Sequence, residues 1–303
     1  MLNGLDFSWH WSPGALIVIL LLCLFYGLGI RLAHKNDAQD KPLKNRQVVA
    51  FVVAVVAMAC VLLTPIDTIA RTQSFFAHMV QVVVLTTLCA PLLLFAFPDW
   101  FLQPLLLQPI VRRIASMLTN PIVASLIFNA TFFIWHAPGV FYFAIVHGTL
   151  YHVELLSLLF TALLNWWPLI GPVRELRRMN YPLQMLYAFL DGQPVDIYAF
   201  LLVFSGTVIY THYAVPPQLG ITAFGDQAAG GAFLLIPGLV DLVVMSPLFI
   251  RWLAQMEEQA KKNDQRLQEL GEAEAARLQE EEEEEEESLQ SDREGRPYYT
   301  QPS

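Results

Sequence analysis

Seven stretches of about 20 predominantly apolar residues constrain this chain more than any other feature. They lie near 14–32, 47–65, 75–97, 119–137, 149–170, 193–213 and 231–253. A helix of that length, at ~1.5 Å per residue, matches the ~30 Å hydrocarbon layer of a bilayer. Inside lipid the backbone has to satisfy its own hydrogen bonds, so repeated spans of this kind predict an all-α polytopic bundle of seven transmembrane helices. The first stretch is expected to be a span rather than a cleaved signal peptide. No Lys or Arg precedes it, its apolar core exceeds ~7–15 residues, and no small-residue cleavage site follows. Tyr181 to Asp191 is also apolar but stands ahead of Gly192 and Pro194, and is expected to form an interfacial or broken approach helix to the sixth span.

Composition agrees. Hydrophobic residues make up 55% and charged residues only 15%, against about 25% charged in ordinary soluble domains. Of the 27 acids and 18 bases, 16 acids and 6 bases lie in 255–303, leaving 11 acids and 12 bases in 1–254. The expected domains are therefore a nearly neutral seven-helix body, 1–254, and an acidic tail, 255–303, helical at first and solvated and mobile around the run Glu280 to Glu287. The tail reads as a solubilising extension or as a docking segment for a basic partner. Cys23, Cys60 and Cys89 form no CxxC pair and are expected to pack as small apolar groups.

Basic residues alternate by side. Arg31, Lys35, Lys41, Lys44 and Arg46 lie between spans one and two, Arg112 and Arg113 between three and four, and Arg174, Arg177 and Arg178 between five and six; Arg251, Lys261 and Lys262 follow the seventh. The opposite loops hold only Arg71. The positive-inside rule then predicts the N-terminus outside and the acidic tail in the cytoplasm.

That orientation sorts the histidines. His34 is cytoplasmic, whereas His10, His78, His136, His147, His152 and His212 fall at or near outer helix ends. Neutral imidazole is a common metal ligand, and helices of a bundle can aim several at one centre. His78, His136, His147 and His152 are the candidate metal set, with His212 from topology. Met79 would add a thioether, and thioether with imidazole favours copper. The alternative is that these histidines bond headgroups and loop carbonyls. Glu154, two residues after His152, points to another part of the helix face, as a supporting partner of the ligands or as a separate buried acid. Asp241 falls near mid-depth in the seventh span, where a charge costs ~2.5–3.5 kcal/mol; it reads as a proton relay or counter-ion, or as a protonated acid bonded to the carbonyl freed by Pro237. Asp191 and Asp196 are expected to cap the sixth helix, and Trp166-Trp167 to anchor the fifth at the membrane interface. No HExxH, GxSxG, P-loop or dinucleotide fingerprint occurs, so no familiar enzyme mechanism is indicated. Nucleic acid is not an expected partner.

Several of these residues sit in a recognisable pattern. His78-Met79-Val80-Gln81, Ala90-Pro91-Leu92-Leu93-Leu94 and Pro98 are followed by Trp135-His136-Ala137-Pro138, Phe141-Tyr142, His147, His152 and Trp166-Trp167-Pro168. Tyr210, Tyr213, Asp226-Gln227 and Gly230-Gly231 complete it. Over roughly 10–254 the chain resembles the seven-helix cytochrome c oxidase assembly factors called CtaG, of the caa(3)-oxidase kind. The resemblance implies a bacterial inner-membrane protein that matures the oxidase, with oxidase subunits and the lipid bilayer as partners, a copper-donor protein as a further one, and copper delivered or inserted on the outer face. It carries over His78, Gln81, His136, His147, His152 and Asp226: His78, His136 and His152 as ligands, His147 at the site mouth, Gln81 and Asp226 as supporting residues. One position departs, because Val82 stands where the family's third-helix motif has a second His. Three rivals remain: a membrane cytochrome with haem between two His, a copper or proton transporter using Asp241, and a scaffold whose histidines are structural.

Overall fold

In the computed structural model, residues 5–9, 12–35, 43–177 and 179–294 are described. His10, Lys41 and Arg178 lie outside them. Every regular element among the described residues is helical. The long helices are α1 (Pro13–Lys35), α2 (Asn45–Leu63), α10 (Gly148–Ile170) and α11 (Tyr181–Phe204), while α3 (Pro65–Thr72) is a short connector. The third span joins α4 (Phe75–Val83), a π-helical segment Val84–Cys89 and α5 (Ala90–Ala96). The short α6 (Asp99–Leu106) and α7 (Pro109–Leu118) lead to α8 (Pro121–His136), and α9 (Pro138–Val146) leads to α10. The chain ends with α12 (Ala223–Phe233) and α13 (Ile236–Glu294). Among the described residues six helices are long and apolar enough to cross a membrane, and a seventh span is made if α7 and α8, bent by 68° at their junction, are taken together.

Two spans differ from expectation. The sixth is one continuous 24-residue helix, Tyr181–Phe204, with Pro194 inside it, rather than 193–213 with a separate approach helix. Gly192 is a close-approach residue and not a breaker: a Cβ there would stand 3.2 Å from Asp241 Oδ2. Residues 205–213 leave the helix, with Gly206 at φ +66° just past its end. Asn180, not Asp191 or Asp196, caps α11 by accepting from Leu183 N–H. The seventh span begins earlier than 231, at Ala223, and turns at Leu234 before α13.

The core is built around α2, the third span and α10, with Met58, Leu62, Leu85, Leu155 and Leu158 fully buried. Apolar side chains such as Leu20, Leu24, Val52, Val56, Phe160 and Phe200 are exposed, as a lipid-facing surface requires. Prolines free backbone carbonyls inside this core, and lipid offers no water to satisfy them. In the π register Ala90 N–H bonds to Leu85 O. The next donor would be Pro91, which has no N–H, so the Thr86 carbonyl is left over. Trp166 Nε1 donates to it at 2.9 Å. Trp166 is therefore turned into the bundle and is not the interfacial anchor expected. Pro65 likewise leaves the Val61 carbonyl without its helical donor, and Gln81 Nε2 donates to it at 2.6 Å.

The chain divides into two compact units, Met1–Leu248 and Phe249–Ser303. The second is helical through Glu294, the acidic run included, and carries i,i+4 ion pairs Lys261–Glu257, Lys262–Glu258 and Arg277–Glu281. Such exposed pairs add only a few tenths of a kcal/mol each.

The Pro91–Trp166 relation is testable by a double-mutant cycle in thermal unfolding. Trp166→Phe should destabilise the protein, and less so in a Pro91→Ala background, where the N–H restored by the substitution can serve the Thr86 carbonyl. The expected coupling is about 0.6–1.7 kcal/mol; additive effects would refute the assignment.

Candidate metal centre

His78, His136 and Glu154 meet at one end of the bundle. They come from α4, the last residue of α8 and the second turn of α10, and are 0%, 2% and 0% exposed. One ligand atom from each lies within 4.8 Å of the other two, and His78 Nε2 is 3.3 Å from Glu154 Oε1. Aromatic rings line the place: Phe141 is 4.8 Å from the His78 ring, and Phe132 stacks on His136 at 4.1 Å.

The surrounding hydrogen bonds fix which imidazole nitrogen faces inward. Gln81 Nε2 donates to two groups that only accept, the Val61 carbonyl and Asp67 Oδ1 (3.1 Å). Gln81 Oε1 must then accept, and Tyr151 gives it its single hydroxyl proton at 2.5 Å. The Tyr151 oxygen in turn accepts from His78 Nδ1–H at 2.9 Å. His136 Nδ1 donates to the Phe132 carbonyl at 2.8 Å. Both imidazoles thus carry the proton on Nδ1 and present the Nε2 lone pair to the Glu154 carboxyl. Both Nε2 atoms and both Glu154 oxygens are buried with no hydrogen-bond partner. Converging acceptors without a donor are costly in a dry interior and call for a cation, a metal ion or shared protons.

Helix ends and glycines hold the parts in place. Asp226, on α12, accepts from Ser74 Oγ (2.6 Å) and Phe75 N–H (2.7 Å), so it caps the helix that carries His78 and does not touch the histidines. Its neighbour Gln227 accepts from Ile209 and Tyr210 N–H at 2.6 and 3.2 Å, fixing the chain after α11. Tyr210 then donates to the His136 carbonyl at 2.5 Å and bonds Tyr198 through its hydroxyl. A Cβ on Gly230 would meet Phe75 Cδ1 at 2.8 Å, and one on Gly231 the Ala199 carbonyl at 2.8 Å. Only glycine allows these approaches.

The remaining sequence candidates lie elsewhere. His152, expected as the third ligand, faces away from the pair. Its Nε2 is 3.1 Å from Asp67 Oδ2 and its Nδ1 2.7 Å from the Gly148 carbonyl. Two residues along a helix are about 200° apart, so His152 and Glu154 point to opposite sides, and Glu154 takes the inner one. His147 is exposed and bonded to the Phe143 carbonyl, and His212 stacks on Tyr142 at 3.9 Å. Met79 is fully buried, with its Cγ against Gly230. Asp241 lines a cavity of about 60 Å³ with Asp191 and Asp196, and Asp191 is held by Asn165 Nδ2 at 2.5 Å. Val82, in place of the second motif His, is core. Tyr151 and Asp67 were not anticipated. The i,i+3 pairs His78/Gln81 and Tyr151/Glu154, each on one helix face, were the readable signal for Tyr151.

A helical membrane bundle holding a buried imidazole–carboxylate centre is the class this geometry defines. The model of the cytochrome c oxidase caa3 assembly factor family (Caa3_CtaG) matches residues 24–255. The chain belongs to that family. No curated protein and no solved structure matches it.

The tautomers can be read by 15N NMR of labelled imidazole. His78 and His136 should both be Nδ1–H forms, and Tyr151→Phe should disturb His78 alone. An unchanged His78 tautomer in that variant would contradict the hydrogen-bond chain.

Proposed function

We propose that this chain serves oxidase maturation by holding copper, as cargo, between His78 Nε2, His136 Nε2 and Glu154. The observation that carries the reading is the set of four buried, unpartnered acceptor atoms on three helices. Ligand atoms on one ion, each at ~2.0–2.2 Å, lie at most about 4.4 Å apart, so a set within 4.8 Å closes on an ion with a small contraction. Two imidazoles and a carboxylate without sulfur suit a divalent ion of intermediate softness, and among these Cu(II) binds most tightly. The reading therefore names cupric copper, and replaces the thioether argument with the carboxylate. The positive-inside pattern supports placing this end on the outer face with the N-terminus, and the tail in the cytoplasm. The oxidase is the acceptor, with a copper-donor protein upstream; a catalytic role is not part of this reading. Haem fits less well, since the His78 and His136 ring centroids are 5.5 Å apart and tilted by 44°, too close for a porphyrin between them.

Metal content and a visible spectrum of the purified protein test the proposal. Wild type should hold near-stoichiometric copper, lost in His136→Ala, at least tenfold weaker in Glu154→Gln, and retained in His152→Ala. A Soret band would assign haem instead. In cells, His78→Ala with His136→Ala should leave the protein inserted yet lower the copper content of the oxidase; normal oxidase copper would refute the ligand assignment.

A further inference from the structure

At the end of the bundle away from His78, a cavity of about 650 Å³ opens between the start of α2, the α5–α6 turn and the segment after α10. Lys44, Arg174 and Arg177 line it, with Asp99 the one acid among its lining residues. None of the three cations forms an ion pair with a described acid. Asp99 Oδ1 is engaged by the Trp100 N–H at 2.8 Å. Arg177 reaches the Leu169 carbonyl through Nη1 at 3.4 Å, but its Nε is buried with no partner. Burial, with Arg174 beside it, pulls the Arg177 guanidinium below the usual arginine range. Phe97 and Trp100 supply the apolar part of the wall.

Unpaired cations gathered in one concavity, with Lys44 and Arg174 exposed and Arg177 half-buried, call for an anion, and guanidinium groups match phosphate oxygens. The volume lies within the ~300–1,000 Å³ of small-ligand sites. Its position at the end of the apolar spans is that of a lipid headgroup, and basic pockets between helices recognise acidic ones. From this geometry we infer that the pocket binds a phosphate-bearing anion, presented as the headgroup of an anionic phospholipid. A zwitterionic lipid carries a choline or ethanolamine cation toward Lys44, Arg174 and Arg177 and is selected against.

The test uses the full chain in neutral detergent, with lipid retention read by native mass spectrometry. Phosphatidylglycerol, phosphatidylcholine and inorganic phosphate are offered separately. Phosphatidylglycerol should be kept in preference to phosphatidylcholine. Arg174→Gln with Arg177→Gln should weaken it roughly 25-fold, about five-fold per cation. Asp99→Asn, which removes the opposing charge, should strengthen it, an outcome that misfolding cannot mimic. Equal retention of the two lipids, or no change in either variant, would overturn the inference. Inorganic phosphate bound where phosphatidylglycerol is not would assign the pocket to free phosphate and overturn the lipid source.

Discussion

The structure of the buried centre depends on one side chain, Gln81. Its amide nitrogen serves the carbonyl that Pro65 leaves without a donor and the Asp67 carboxylate, and its oxygen takes the Tyr151 proton. Every donor in the series from His78 points toward Asp67, so a single buried carboxylate sets the polarity of the network. With the amide turned the other way, Val61 would lose its partner, Tyr151 would have to accept, and the His78 lone pair would face away from Glu154. In water such a reversal is cheap. In a dry bundle each orphaned group costs about 1–3 kcal/mol, which makes the orientation close to unique.

The motif residues divide the work in a way that pattern alone conceals. His78 and His136 face the centre, whereas Pro91 and Trp166, although distant in sequence, are two halves of one hydrogen bond. Asp226, Gln227, Gly230 and Gly231 act on helix ends and helix spacing. A short run of conspicuous residues on α12 thus fixes α4 and the chain carrying Tyr210 without contributing a ligand atom.

Hydropathy made the bundle legible, because apolar length depends only on local composition. It misplaced the sixth span, where Gly192 and Pro194 look like a break but the helix runs through both. In lipid the alternative to a continuous helix is unpaired backbone, and that outweighs local propensity. At the site, the pairing of His78 with His136 was readable from their helix-end positions. The choice of Glu154 over His152 was not, because sequence says that they face opposite ways but not which way is in. The link from Asp67 through Gln81 to Tyr151 joins three helices, and no local pattern encodes it.

For an ion held as proposed, the sealing of the centre would separate how tightly it is bound from how fast it can leave. His78, His136 and Glu154 have almost no surface, and the fully buried Phe141 on α9 packs against both rings. Exchange would then wait on a local opening of the helices, whose free energy adds to that of breaking the bonds to the ligands. Packing around α9 would on that reading lengthen the residence time of the ion without changing its affinity, which the donor atoms set.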